Sequence, residues 1–194
     1  MLSIVVLISG AGSNLLALLE ATDNPLFGAK IVAVGSDNPA DGLAHAENFG
    51  ISTFVVSPES FDTRENWANV LLANVQHFKP DLVVLAGFMR ILPPNFVQAL
   101  SPNIINTHPS LLPAFPGAHA VRDALYAGAK TTGVTIHIVD EGVDTGPHLA
   151  QAEVAITPED SEHELHERIK LVERELLVST VKAIAAKQIT LASR

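Results

Sequence analysis

Asn106 and His108 are the residues whose types and spacing point most directly to chemistry. They open the stretch NTHPSLLPAFPG, which directly follows the apolar run Asn103, Ile104, Ile105. Side chains two residues apart on a strand face the same side of a sheet, so the amide and the imidazole can converge on one substrate atom. The alternative is a histidine buried for structural reasons alone, but the paired amide and the strand-end position favour chemistry.

A loop further along the chain offers a carboxylate partner for this histidine. The stretch GVTIHIVDEGVDTGP, residues 133–147, holds three acidic residues, Asp140, Glu141 and Asp144. Asp144 could reach a histidine on a neighbouring strand, where a carboxylate favours the protonated ring and fixes its orientation. Taken alone, however, the loop is more typical of the solvated acidic tip of a hairpin.

The glycine-containing stretch SGAGSN, residues 9–14, is a candidate phosphate site. Gly10 and Gly12 would let the backbone approach a ligand, and the helix that follows would present free N–H groups and its positive dipole end. The stretch lacks the lysine of a Walker A loop, and Leu15 stands where GxGxxG has its third glycine. This disfavours a dinucleotide and suits a phosphate monoester, although an ordinary tight turn is an equal alternative.

A second apolar loop carries a single cation. In AGFMRILPPNF, residues 86–96, the side chains of Met89, Ile91 and Leu92 surround Arg90. Such a surface suits a flat, apolar and partly anionic ligand, although a loop that folds back onto the core would have the same composition.

The elements that must position these residues follow an α/β pattern. Five short apolar segments, typical of buried parallel strands, span residues 2–9, 30–36, 52–57, 81–87 and 103–108, and helices are predicted for residues 14–21, 42–49 and 62–78. Asp62 and Glu65 have the spacing of a capping box. Alternating strands and helices predict an open, doubly wound, mostly parallel sheet, with ligands beyond the carboxyl ends of its strands.

After residue 117 the pattern changes. Residues 118–127 are predicted to be a helix, and residues 131–140 and 148–156 to be the strands of an antiparallel hairpin. A long amphipathic helix should follow, because Ser161 and Glu164 have capping-box spacing and apolar residues then recur at helical intervals. We therefore expect one domain, residues 1–194, of Rossmann-like class.

Composition excludes several classes of function. The 194 residues carry a formal net charge of -9, which argues against a general nucleic-acid surface. No cysteine is present, so disulfides, thiolate catalysis and cysteine-based zinc sites are excluded. The sequence has no basic leader and no apolar run of membrane-spanning length, so we expect a cytoplasmic protein that works on small molecules, not on nucleic acid or a membrane.

The stretches ISGAGSNL, VVLAGFMRILP, NTHPSLLPAFPGAHA and GVTIHIVDEGVDTGP occur in an order and spacing that resembles the glycinamide ribonucleotide transformylases, a branch of the formyltransferase family. The resemblance covers nearly the whole chain. It implies a formyltransferase fold and transfer of the formyl group of 10-formyltetrahydrofolate to the amine of glycinamide ribonucleotide, in de novo purine biosynthesis. It also implies direct transfer through a tetrahedral intermediate, with the folate as co-substrate and no metal, in a monomer or homodimer.

The resemblance implies a role for each matching residue. Asn106, His108 and Asp144 correspond to the catalytic residues. The ribonucleotide site corresponds to Ala11, Gly12, Ser13, Asn14, Lys170, Leu171, Val172 and Glu173. The site for 10-formyltetrahydrofolate corresponds to Arg64, Met89, Arg90, Ile91, Leu92, Asn106, Asp140, Glu141, Gly142, Val143 and Asp144. A cis Leu112–Pro113 bond is a further expectation.

Three alternatives compete with this interpretation. Methionyl-tRNA formyltransferase shares the catalytic core but adds a C-terminal barrel, whereas this chain ends at Arg194 and is acidic. Formyltetrahydrofolate deformylase carries an additional N-terminal regulatory domain, whereas the first predicted strand here begins at Leu2. A non-enzymatic folate or nucleotide binder would give Asn106, His108 and Asp144 no reason to converge.

Overall fold

The computed structural model describes residues 1–192, and over these residues seven strands form one sheet in the order β3-β2-β1-β4-β5-β6-β7. The strands are β1 (Leu2–Ile8), β2 (Ala29–Ser36), β3 (Ser52–Val55), β4 (Leu82–Leu85), β5 (Ile104–His108), β6 (Thr131–Ile138) and β7 (His148–Ala155). The first five run parallel, whereas β5 pairs with β6, and β6 with β7, in antiparallel fashion. The predicted fold class, including the hairpin, is confirmed.

Six α-helices cover the two faces of this sheet within the described residues. They are α1 (Ser13–Thr22), α2 (Leu43–Asn48), α3 (Arg64–His77), α4 (Pro94–Leu100), α5 (Ala120–Tyr126) and α6 (Glu162–Ala185). Short 3-10 turns lie at Pro25–Phe27 and Pro58–Ser60. One hydrophobic core joins the sheet to α1, α2, α5 and α6, and a second joins its other face to α3 and α4.

Strand alternation decides which face each residue of β5 and β6 serves. Ile105 and Ile136 belong to the core under α6, whereas Ile104 belongs to the core under α3 and α4. Because side chains alternate along a strand, Asn106 and His108 extend the row of Ile104. They therefore lie at the carboxyl end of β5 on the α3 and α4 side.

The long helix α6 is the largest cover of the opposite face. Its predicted capping box is present, since the Ser161 hydroxyl accepts from the Glu164 N–H and the Glu164 carboxylate accepts from the Ser161 N–H. A buried stripe recurs every four residues, and each of its apolar side chains contributes about 1.5–3 kcal/mol on burial. The stripe runs through Leu165, Ile169, Glu173, Leu177 and Val181.

One local prediction was wrong, and one helix was not predicted. The N-cap of α3 is Thr63, whose hydroxyl accepts from the Asn66 N–H at 3.1 Å, so Asp62 and Glu65 form no capping box. Helix α4 was not predicted, because Pro93 and Pro94 resemble loop residues in sequence. Proline is nonetheless favourable in the first turn of a helix, where its missing N–H has no intrahelical partner.

Candidate active site

The Asn106 and His108 side chains lie at the carboxyl end of β5, next to the central strands of the sheet. His108 is buried and Asn106 is half-buried. The loop that leaves β5 turns sharply, with a cis Leu112–Pro113 bond as expected and positive φ angles at Phe115 and Gly117. This turn brings the loop back over the imidazole ring of His108.

The Asp144 carboxylate lies close to two histidines at this edge of the sheet. Its Oδ2 atom lies 3.4 Å from His108 Nδ1, and its Oδ1 atom lies 3.5 Å from His137 Nε2. Oδ2 also accepts a 2.8 Å hydrogen bond from the Gly117 N–H. The structure thus brings Asn106, His108 and Asp144 together, and it adds a second imidazole that the sequence analysis did not single out.

His137 is this additional residue. It lies directly opposite Asn106 in the antiparallel pairing of β5 with β6, and its side chain is 3% exposed. Its Nδ1–H group donates to the Ile138 carbonyl at 2.9 Å, which leaves Nε2 3.2 Å from the Asn106 amide nitrogen. Nε2 therefore accepts from Asn106 when the ring is neutral, and it can donate to Asp144 when the ring is protonated.

Both ring nitrogens of His108 face hydrogen-bond acceptors. Nε2 lies 2.9 Å from the Phe115 carbonyl oxygen, and Nδ1 faces the Asp144 carboxylate. Both partners are acceptors, whereas a neutral imidazole carries only one N–H group. Donation to both partners at once therefore requires a proton on each ring nitrogen.

Asp144 supplies a negative charge beside the His108 ring. Burial raises the pKa of its carboxyl group, but a hydrogen bond from His137 when that ring is protonated, the hydrogen bond from the Gly117 N–H and the nearby imidazoles when charged lower the pKa by a larger amount. The net pKa lies below the ordinary aspartate value, so the carboxylate stays ionised at neutral pH. Its φ of +55° shows that the loop backbone adopts a left-handed conformation to present it.

The glycine loop lies beyond β1, at the start of α1. Gly12 is the N-cap with φ +72°, and a Cβ atom there would lie 3.0 Å from the Gly42 Cα atom, so only glycine fits without strain. Ala11 is exposed and Ser13 begins the helix. The Asn14 Oδ1 atom is buried with no hydrogen-bond partner among the described residues, an arrangement that a ligand N–H or O–H group would relieve.

The predicted residues of α6 fall into two groups. Glu173 is buried in the apolar stripe and accepts a 2.7 Å hydrogen bond from the Thr107 hydroxyl, which ties α6 to β5. Lys170 pairs with Glu167 at 2.6 Å, Leu171 is exposed and Val172 is half-buried. Of these four residues, Glu173 is thus the one bonded to the strand that carries Asn106 and His108.

The apolar loop after β4 exposes part of its surface. Met89 is 76% exposed and Ile91 is 60% exposed, whereas Leu92 is buried. Arg64 donates to the Ile91 carbonyl from the start of α3, and Arg90 pairs with Asp37. This loop thus presents exposed apolar side chains beside two guanidinium groups, as expected for a surface that binds a flat, partly anionic ligand.

The acidic loop between β6 and β7 is held by hydrogen bonds within the loop and by one from α4. Asp140 Oδ1 accepts from the Gly142 N–H and the Thr145 hydroxyl, and Glu141 accepts from the Gln98 amide. Val143 is 46% exposed.

Within residues 1–192, no group of three or more His, Asp or Glu side chains is arranged to hold a metal ion, and none of the helices has the length and apolar character to cross a membrane.

The chain is similar in sequence and in fold to formyltransferases. The family model described as formyl transferase matches residues 2–181. Phosphoribosylglycinamide formyltransferase of Mycobacterium tuberculosis (strain H37Rv) is 46% identical over 191 residues, covering 98% of this chain and 88% of that protein. The Escherichia coli (strain K12) enzyme of the same name is 42% identical over 174 residues, covering 89% of this chain and 82% of that protein.

A solved structure of glycinamide ribonucleotide transformylase 1 from Symbiobacterium toebii superposes with a TM-score of 0.95. Its sequence is 35% identical, and the match covers 100% of this chain and 93% of that one. The family match, the sequence identities and the superposition agree with the site geometry, and the chain therefore belongs to the formyl transferase family.

Proposed function

We propose that this enzyme transfers the formyl group of 10-formyltetrahydrofolate to the amine of glycinamide ribonucleotide. The products are formylglycinamide ribonucleotide and tetrahydrofolate, as in de novo purine biosynthesis. One observation carries the proposal: at the carboxyl end of β5 the rings of His108 and His137 flank the Asp144 carboxylate, and the Asn106 amide contacts His137. In an enzyme of the formyl transferase family, this group can stabilise a tetrahedral intermediate and move its protons.

The first step is attack of the glycinamide nitrogen on the formyl carbon. As the new C–N bond forms, the formyl oxygen gains negative charge. A protonated His108 and the Asn106 amide are preorganised N–H donors for that oxygen, and such donors are usually the largest electrostatic contribution to catalysis. For His108 Nε2 to reach the oxygen, the substrate must replace the Phe115 carbonyl, which lies 2.9 Å away.

The second step breaks the bond between the formyl carbon and N10 of the folate. N10 gains a proton as it leaves, and the former amine loses one. An imidazole that alternates between its two protonation states can carry out such a relay, directly or through a water molecule. Asp144 would stay ionised throughout and keep His108 oriented, while His137 would fix the position of the Asn106 amide.

The two substrates would approach from different elements. The glycine loop, Ala11, Gly12, Ser13 and Asn14, would hold the ribonucleotide phosphate at the start of α1, where free N–H groups and the helix dipole favour an anion. Glu173, with Lys170, Leu171 and Val172 on the same helix, would face the ribose.

The formyl donor would lie against the loop after β4. The exposed side chains of Met89 and Ile91 would contact its flat ring system, and Arg64 and Arg90 would attract its anionic end. The loop from Asp140 to Asp144 would close the other side.

We further propose that the whole chain forms one formyltransferase domain that works in the cytoplasm as a monomer or homodimer. Its net charge of -9 supports small-molecule substrates over nucleic acid. Light scattering after size-exclusion chromatography would report the oligomeric state, and a single cooperative unfolding transition is expected for one domain.

The test is a spectral assay of 10-formyltetrahydrofolate consumption with one acceptor at a time. Glycinamide ribonucleotide should support conversion, whereas charged initiator tRNA and water alone should not. His108→Ala should abolish most of the rate, while the control His163→Ala, at an exposed position on α6, should not. Equal conversion without ribonucleotide would overturn the proposal.

A further inference from the structure

Asp37 is a buried carboxylate at the carboxyl edge of the sheet for which the proposed reaction gives no role. It directly follows β2, and its side chain is only 2% exposed. Burial raises the pKa of its carboxyl group, but hydrogen bonds from Arg90, Ser9 and Asn38 lower the pKa by a larger amount. The resulting pKa lies below the ordinary aspartate value. A buried, ionised side chain of this kind must be paired, and here every partner comes from a loop at the site.

Ser9 connects this carboxylate to two other loops. Its hydroxyl hydrogen-bonds Asp37 and accepts from the Met89 N–H at 2.8 Å. Its carbonyl accepts from the Asn38 amide at 3.0 Å, and its N–H donates to the Gly87 carbonyl at 3.1 Å. The residue that opens the glycine loop is therefore bonded to the loops after β2 and β4.

These bonds span the place where the strand order reverses. The chain moves outward from β1 to β2 and β3, and the connection after β3 then returns it to β4 on the other side of β1. Ligands of open α/β sheets bind in the crevice at such a switch point. The position of the loop after β4 is therefore fixed relative to the glycine loop across that crevice.

Arg90 is bonded in a way that leaves part of its guanidinium group available. Its Nε atom donates to Asp37 Oδ2 at 2.6 Å, and its side chain is 48% exposed. The pairing therefore uses the inner nitrogen and leaves the two terminal nitrogens for a planar anion such as a carboxylate. A guanidinium group fixed in advance loses less entropy when it binds than a free side chain does.

We propose that Asp37 is a positioning residue for the formyl donor: it orients Arg90 through Nε so that the terminal nitrogens bind the carboxylate end of that donor. This inference rests on the proposed function, because it assumes a folate-type donor with an anionic tail. Asp37 itself touches neither substrate.

The test compares two formyl donors, one with the glutamate tail and one that ends before it, so that it lacks the tail carboxylates. Asp37→Asn should raise KM about tenfold for the donor with the tail, in line with the loss of a charge-assisted hydrogen bond. It should change kcat little, and it should leave KM for the tailless donor unchanged. A general loss of structure would instead affect both donors equally, and that result would overturn the inference.

Arg90→Lys tests the same idea without changing a buried residue. Lysine keeps the charge, but it has one nitrogen at its end. It therefore cannot be held by Asp37 through an inner nitrogen while two terminal nitrogens bind the tail. The variant should therefore lose the preference for the tail, and a wild-type preference would overturn the inference. Arg90→Gln should reduce the preference at least as much as Asp37→Asn does, with Arg64 accounting for what remains, and adding Asp37→Asn to it should have little further effect on KM.

Asp160→Asn is the matched control. Asp160 is also a shielded carboxylate, 5% exposed, paired with an arginine, but its partner Arg168 lies on α6 and neither residue belongs to the site. This variant should keep both KM values. A wild-type enzyme that is inactive with glycinamide ribonucleotide would refute the proposed function, whereas an active wild type with an unaffected Asp37→Asn variant would refute only this inference.

Discussion

Replacing Asp144 with asparagine tests the proposed mechanism most directly. The amide oxygen can still accept from the Gly117 N–H, which now donates to Asp144 Oδ2 at 2.8 Å. The amide NH2 group then occupies the position of Oδ1, facing His137 Nε2. Because Asn106 also donates to that nitrogen, two donors would compete for one acceptor. The substitution therefore removes a charge and disturbs the orientation of Asn106, although the side chain keeps its size.

The distances set the size of the effect. At 3.4 Å, the attraction between an ionised Asp144 and a protonated His108 is about 5 kcal/mol for an effective dielectric constant of 20. Removing one partner of a buried ion pair typically costs about 3–5 kcal/mol. If the transition state needs the protonated ring and the ground state does not, kcat should fall about 10²- to 10⁴-fold.

The assay is steady-state turnover of glycinamide ribonucleotide and 10-formyltetrahydrofolate across pH. The pKa of Asp144 is lowered, so its carboxylate should remain ionised at neutral and mildly acidic pH. Protonation of Asp144 should therefore not reduce the kcat of the wild-type enzyme near neutral pH. KM values should change less than kcat, because the carboxylate oxygens contact His108, His137 and the Gly117 N–H. A variant with full kcat and an unchanged pH profile would refute the assigned role.

Three further substitutions test individual contacts. Gly117→Ala should reduce kcat by about tenfold in a steady-state assay, because φ is +88° and strain there would disturb the N–H that donates to Asp144. Circular dichroism should show that the protein stays folded, because a Cβ would meet no atom within 4 Å. Trp67→Phe should lower the free energy of unfolding by about 1–3 kcal/mol in urea titrations, since the buried Val56 carbonyl loses its 2.7 Å donor. The hydrogen bond from Arg168 lowers the pKa of Asp160 from 3.8 to about 2, so this pair stabilises the fold above that range and the effect is lost as pH falls through it. Asp160→Asn should therefore be destabilising at pH 6 but nearly neutral near pH 2 in thermal unfolding.

Most of the fold could be predicted because its elements have strong local patterns. Buried parallel strands are nearly continuous apolar runs, and α6 has both a capping box and a stripe that recurs every four residues. The wrong N-cap of α3 arose because two neighbouring residues compete for one local role. Asp62 and Thr63 are both good N-caps, and the choice depends on where the backbone leaves its extended conformation. Sequence spacing alone cannot decide that.

The site was harder to predict because it depends on strand register. Asn106 and His108 are two residues apart in one strand, so their shared face follows from alternation. His137 lies 31 residues from Asn106 and faces it only because β5 and β6 pair in one antiparallel register. A shift of one residue would turn His137 towards α6. The signal available in the sequence was a histidine within an otherwise apolar strand that leads into the acidic loop.

The importance of Asp37 was hidden for a related reason. Its partners, Ser9 and Arg90, are 28 and 53 residues away in sequence, and they meet only because β2, β1 and β4 are neighbours in the sheet. In sequence, Arg90 is a lone cation in an apolar stretch, which predicts a free charge for a ligand. The structure shows instead that its inner nitrogen is already bonded.

Strand β5 explains how two substrates can meet at one edge of the sheet. Alternation directs Asn106 and His108 to the α3 and α4 side, and Thr107 between them to the α6 side, where its hydroxyl donates to Glu173. A ribonucleotide held by α6 and the glycine loop, and a donor held by the loop after β4, would therefore approach the same strand end from its two faces. The amine and the formyl carbon can meet only beyond the last residue of the strand, and His108 is that residue. Its position at the end of β5 thus allows one side chain to contact both substrates.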